Sequence, residues 1–97
     1  MRRSLYIAAS VDKSIAAFPD RIQRKIRQKM YFMSEGHFSD VKALGEKLFE
    51  LRIHTSPGFR IYFCFQQDAI YILHLGTKAT QKSDIERLKE HLKHIEG

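Results

Sequence analysis

The 97-residue sequence holds one cysteine, no tryptophan, two prolines and five glycines. A single cysteine, Cys64, excludes an internal disulfide. It sits inside the apolar run FRIYFCF, which points to an inert packed thiol. A catalytic thiol needs a basic partner and an open position, and no such pairing stands out. There is no glycine-rich phosphate loop, nucleophile elbow or CxxC pair. No stretch approaches the ~20 apolar residues that span a membrane. The opening MRRSLYIAASVDKS imitates a signal peptide, but its apolar run stops at Asp12, too early for a cleavage site. This predicts a cytoplasmic protein without membrane contact. No repeat, low-complexity tract or linker is visible, so residues 1–97 read as one small domain.

What is present is apolar enough to fold and strongly basic. Hydrophobic residues are 43% and charged residues 29%, which excludes a disordered chain. Lysine and arginine outnumber aspartate and glutamate 17 to 11. The excess lies mostly in residues 1–36, with eight basic and three acidic side chains. A basic face of this kind suits a polyanion or an acidic protein.

Periodicity divides the chain. Leu5 to Ala9 reads as a short strand. Ser10 or Asp12 is placed to cap a helix carrying Val11, Ile15 and Phe18. Pro19 suits the first turn of a second helix, with Ile22, Ile26, Met30 and Met33 as its stripe and Gly36 as its stop. Arg21, Arg24, Lys25, Arg27 and Lys29 occupy its other faces. The period then becomes two. In 48–55, LFELRIHT, Phe49, Leu51 and Ile53 point one way, and Glu50, Arg52 and His54 the other. Ser56-Pro57-Gly58 reads as a type II turn. In 59–65, Phe59, Ile61, Phe63 and Phe65 share a face opposite Arg60, Tyr62 and Cys64. After the tight turn Gln66-Gln67-Asp68, AIYILHL is apolar on both faces and therefore an interior strand. Ser83-Asp84-Ile85-Glu86 is a capping-box pattern before a last helix striped by Ile85, Leu88, Leu92 and Ile95. The predicted fold is α+β: an N-terminal helical hairpin on a small twisted antiparallel sheet, then a C-terminal helix.

Strand alternation puts Arg52, His54, Arg60 and Tyr62 together on the face turned away from the core, within mutual reach. Two readings stand. One is a solvated sheet face on which Glu50 neutralises one arginine. The other is a phosphate held between the arginines, which grip such an anion in a fork. Lys78 and Lys82 lie in a polar segment leading into a helix N-terminus, which also favours anions. His91 and His94 have i, i+3 spacing, but no carboxylate or cysteine cluster accompanies them in sequence, so no metal site is assigned. His74 reads as a packed core histidine, and His37 falls in a loop.

The ordered set Leu48-Phe49-Glu50-Leu51-Arg52-Ile53, Pro57-Gly58-Phe59-Arg60-Ile61-Tyr62-Phe63, Ile72-Leu73-His74-Leu75-Gly76-Thr77-Lys78 and Gln81-Lys82 resembles the RelE/ParE toxin superfamily. Its phage-derived, HigB-like branch is the nearest in pattern. Val41-Lys42-Ala43-Leu44 also fits, and the likeness covers about residues 18–95. The resemblance implies a toxin paired with a helix-turn-helix antitoxin, monomeric when free and assembled into larger complexes with it. It further implies metal-independent and cofactor-free cleavage of messenger RNA on the ribosome, through attack of a 2′-hydroxyl on the adjacent phosphate. Arg60 and Arg52 match the family's phosphate-binding arginines, and His54 is placed as acid or base. Lys78 and Lys82 match its basic segment, Arg24 and Lys25 lie on the hairpin that would face ribosomal RNA, and Tyr62 is a further RNA contact. The family's C-terminal tyrosine is missing, since the last tyrosine is Tyr71 on a strand. Tyr62, His54, His91 or His94 are the residues left to fill that role. The same resemblance also admits a ParE-like gyrase inhibitor or a non-catalytic antitoxin-binding module. A convergence of Arg52, His54 and Arg60 favours the nuclease.

Overall fold

The chain opens on a strand. The computed structural model describes residues 2–96. In chain order the elements are β1 (Ser4–Ile7), α1 (Ala9–Ala16), α2 (Asp20–Ser34), β2 (Val41–Gly45), β3 (Leu48–Ile53), β4 (Phe59–Gln66), β5 (Ala69–Thr77), a 3-10 turn (Lys78–Thr80) and α3 (Gln81–Glu96). The strands form one sheet in the order β1-β5-β4-β3-β2. The class is α+β, as expected, with two corrections. The strand read at Leu5–Ala9 is present at Ser4–Ile7, so the helical pair does not start the chain, and Ala9 already belongs to α1. The sheet is mixed, because β1 runs parallel to β5. Tight hairpins impose antiparallel pairing on β2 through β5, whereas β1 and β5 are far apart in sequence and nothing forces that direction.

The helices form where the apolar stripes were read. Val11 and Ile15 of α1 are buried, as are Ile26, Met30 and Met33 of α2. The N-cap of α1 is Ala8, without a side-chain bond, rather than Ser10 or Asp12. Ser10 is already helical, and its carbonyl accepts from Ser14 Oγ at 3.0 Å. Pro19 takes the N-cap of α2, and Gly36 follows its end with φ +89°. No helix among the described residues is long and apolar enough to cross a membrane.

The sheet is covered on both faces. Against α1 and α2 it turns Leu51, Ile53, Phe59, Ile61, Phe63, Ile70 and Ile72. Against α3 it turns Leu48, Tyr62 and Leu73, which meet Leu88 and Leu92. Each fully buried large apolar side chain contributes about 1.5–3 kcal/mol. The α3 stripe holds through Leu92, while the side chain of Ile95 lies outside the described residues.

Three local features differ from the sequence reading. First, β2 is a strand the sequence did not announce. It is an exposed edge, so one-sided burial never imposes alternation. Its turn to β3 uses Glu46 and Lys47 at positive φ, where asparagine and glycine are the usual signal. Second, the Ser56–Pro57 bond is cis, in place of the expected type II turn. Third, β5 carries a bulge. Tyr62 pairs with His74 and Phe63 with Ile72, leaving Leu73 between. Leu73 and His74 therefore both face α3, and Gly76 follows them there opposite Arg60.

Candidate functional site

The β3–β4 ladder sets Arg52 directly opposite Arg60 and Glu50 opposite Tyr62. All four project to the α3 side, as alternation required. That face is not open sheet, however. Tyr62 and Glu50 are 0% exposed and Arg60 8%, because α3 packs on this face, with Leu88 and Leu92 against Tyr62 and Gln81 on Glu50. The Arg52–Arg60 end is open, as a cleft of about 500 Å³ lined by Arg52, His54, Thr55, Arg60 and Lys78 among others. That volume falls within the ordinary range of small-ligand clefts.

Glu50 organises the charges. Arg52 Nε donates to its Oε1 at 3.0 Å, and Arg60 Nε lies 3.7 Å from its Oε2 as an ion pair. Gln81 Nε2, from the first residue of α3, donates to Oε2 at 2.8 Å. The Glu50 carboxylate raises the pKa of Arg52, first through this hydrogen bond and then through its charge. Arg60 Nε and Tyr62 Oη are buried without a hydrogen-bond partner. A buried orphan donor is unfavourable, and the Glu50 charge offsets part of that cost at Arg60 Nε.

Tyr62 does not face outward. Its phenol is raised well above the ordinary range, first by burial and then by the Glu50 and Asp84 carboxylates, with Arg60 opposing. It stays neutral at working pH and serves neither as a base nor as a surface platform for a nucleotide. This predicts an alkaline effect. Above about pH 10 the tyrosine ionises in the unfolded chain but not in the folded one, so protein stability falls as pH rises. The contribution reaches about 1.4 kcal/mol per pH unit. Thermal melts between pH 9 and 11, about the tyrosine range, will show a shallower slope in Tyr62→Phe.

Behind Tyr62 lies a second polar network that sequence reading missed. Asp84, 4% exposed, accepts from Thr80 Oγ1 at 2.6 Å and lies 3.2 Å from His74 Nε2 and 3.5 Å from Arg87 Nη2. The His74 ring stacks on Tyr62 with centroids 6.0 Å apart. His74 is thus half-exposed and paired, rather than enclosed in the core. The expected cap at Ser83-Asp84 is also corrected. The helix already begins at Gln81, and the capping box is formed by Thr77 and Thr80. Gly76 admits Asp84, since a Cβ there would stand 2.3 Å from Asp84 Oδ2. Because Asp84 is held by His74 and Thr80, it has little room to yield. Gly76→Ala is expected to destabilise by about 1–3 kcal/mol, read by chemical denaturation.

Of the residues singled out in the sequence, Arg52, His54, Arg60 and Lys78 meet at the cleft. His54 is an exposed ring whose Nε2 pairs with Asp40 Oδ2. Lys82 is exposed on α3 and does not line the cleft. Arg24 and Lys25 are exposed on α2, across the sheet from the α3 face. Cys64 is a half-buried thiol. His94 pairs with Glu90 at 2.9 Å, and among the described residues no group of three or more His, Cys, Asp or Glu is placed to hold a metal. Sequence reading assigned Glu50 at most one arginine, although alternation already placed it on the face of both. Asp40 carried no signal, and Asp84 and Gln81 were noticed only as part of a cap and of the family motif, because Asp40, Gln81 and the His74 contact of Asp84 join residues distant in sequence.

Comparison with known proteins agrees with this architecture. Residues 13–94 match the family described as phage-derived protein Gp49-like (DUF891). An uncharacterized protein of Haemophilus influenzae is 36% identical over 70 residues, 71% of each chain. A mutant of the E. coli toxin RelE in the free state superposes with a TM-score of 0.70 at 13% identity, covering 90% of this chain and 93% of that one. A chain of the toxin–antitoxin complex RelBE2 of Mycobacterium tuberculosis gives 0.67 at 14% identity, over 80% of this chain and all of that one. The resemblance carried by the strand motifs therefore holds for family and fold. The chain belongs to the family of phage-derived Gp49-like proteins, and its α+β fold is the fold of the RelE structure.

Proposed function

We propose that this protein is the toxin of a type II toxin–antitoxin pair and an endoribonuclease that cuts messenger RNA on the ribosome. The observation that carries the reading is the convergence of Arg52, Arg60, Lys78 and His54 on one cleft, with a buried Arg60 donor left unpartnered. Fixed positive charge aimed at developing negative charge is the strongest device available to such a site.

In this reading the 2′-oxygen bonds to the adjacent phosphorus and the bond from phosphorus to the 5′-oxygen breaks. The products are a cyclic phosphate and a free 5′-hydroxyl. Arg60 and Arg52 grip the non-bridging oxygens, which carry most charge in the crowded transition state. Lys78 adds a third cation at the rim. One proton leaves the 2′-hydroxyl and one reaches the 5′-oxygen. His54 is the side chain at the cleft suited to move a proton, with Asp40 orienting its ring. Arginine and lysine supply the stabilising charge, so no metal or cofactor takes part. Arg24 and Lys25, on the far layer, act as phosphate contacts to ribosomal RNA, and exposed Lys82 extends the basic rim toward the messenger. The partner of the RelBE2 toxin is an antitoxin. A helix-turn-helix antitoxin with an acidic segment over the cleft is the counterpart proposed here.

The test is cleavage of a defined messenger by the purified protein, with and without programmed ribosomes, mapped by primer extension. Cuts at fixed codon positions only when ribosomes are present are expected. Absence of cuts from a protein that still arrests growth would overturn the nuclease reading and turn attention to gyrase.

A further inference from the structure

We propose that Glu50 is a positioning residue, holding the guanidinium groups of Arg52 and Arg60 side by side so that a single phosphodiester is gripped by both. The effect on rate rests on the nuclease reading above, while the geometry does not. Arg52 and Arg60 stand directly opposite each other on an antiparallel ladder, where like charges repel. Left alone, the two long side chains would splay apart. Glu50 lies between them with no exposure, and each carboxylate oxygen serves one arginine.

Its own position is set from a third element. Gln81 donates to Oε2, the oxygen that faces Arg60. The carboxylate is therefore tied to β3 by its backbone, to β4 through Arg60 and to α3 through Gln81. The two arginines are held differently. Arg52 gives its Nε hydrogen bond to Glu50, while Arg60 Nε is close enough for charge pairing but makes no hydrogen bond. Glu50 thus restrains Arg60 through charge, while Arg60 still lines the cleft. A carboxylate that served only to cancel charge need not be buried at 0% or be fixed by a neutral amide from another element.

The test uses the full chain with Glu50→Gln, which keeps the shape without the charge, and Glu50→Asp, which keeps the charge but withdraws it by one methylene. Two readouts are taken below the melting temperature of each variant. In nitrogen-15 NMR, the Arg52 Nε–H of the wild type is expected as a separate, slowly exchanging signal that joins the exposed arginines in both variants. In ribosome-dependent cleavage, kcat is expected to fall roughly tenfold to a hundredfold in both, with KM for programmed ribosomes unchanged. A merely structural role would leave kcat of the folded protein at the wild-type value. Full kcat in Glu50→Asp would reduce Glu50 to a charge neutraliser and overturn the proposal, as would an unmoved Arg52 signal in Glu50→Gln. If the wild type itself makes no ribosome-dependent cuts, the nuclease reading fails, and the arginine signal still decides whether Glu50 positions the pair.

Discussion

Arg60→Ala is expected to lower ribosome-dependent cleavage by about a hundred- to a thousandfold, roughly 3–4 kcal/mol of transition-state stabilisation. Arg60 lines the cleft with a largely buried guanidinium donor that Glu50 restrains. Losing such a donor removes charge where charge develops, in surroundings where little water remains to replace it. The fold is expected to survive, because Glu50 keeps its hydrogen bonds from Arg52 and Gln81. Arg60→Lys separates charge from geometry. A lysine keeps the positive charge but lacks the planar fork, so most of the loss should remain. Cleavage assays on variants matched for melting temperature check both points. A folded Arg60→Ala protein that cuts at the wild-type rate would remove Arg60 from the site.

The second large effect is on stability. Glu50→Ala is expected to destabilise by about 3–5 kcal/mol, because it strands a buried arginine without its counter-charge. In a domain of this size that lowers the melting temperature by more than about 10 °C. It is a large share of the 5–15 kcal/mol that holds a typical small domain together. The complementary variant separates chemistry from stability. Replacing both members of a buried pair with apolar residues of similar volume is often neutral or stabilising. Glu50→Leu with Arg60→Met should therefore regain most of the lost melting temperature and none of the activity. Scanning calorimetry with cleavage assays measures the two together. Recovery of stability without recovery of activity would mean that the ion pair is kept for what it does to substrate.

Much of this was legible from one dimension because period two and period 3.6 are local properties. The stripe Ile22, Ile26, Met30, Met33 and the alternations of 48–55 and 59–65 assign each side chain to a face without reference to the rest of the chain. The convergence of Arg52 and Arg60 follows from two such alternations and one short turn, so pairing them needed no tertiary information. The same logic failed at β2, whose edge position removes the alternation and whose turn uses Glu46 and Lys47 at positive φ.

What the face opposite the first core meets was a different matter. Alternation says that Arg60 and Tyr62 point away from Phe59 and Ile61, but not whether water or a helix lies there. Docking of α3 decided it, leaving Tyr62 buried and Arg60 with an unpartnered donor. The bulge at Leu73 brought His74 and Gly76 to the same side, which lets Asp84 approach. Glu50 meets Gln81 and His54 meets Asp40 only because separated segments pack together. The sequence by itself therefore determined the secondary structure of most of the chain, the family pattern and which cations share a face. The tertiary structure alone decided which of those cations are desolvated and how they are restrained. Periodicity is set by neighbours along the chain, whereas burial and long-range polar pairing depend on which surface packs against which.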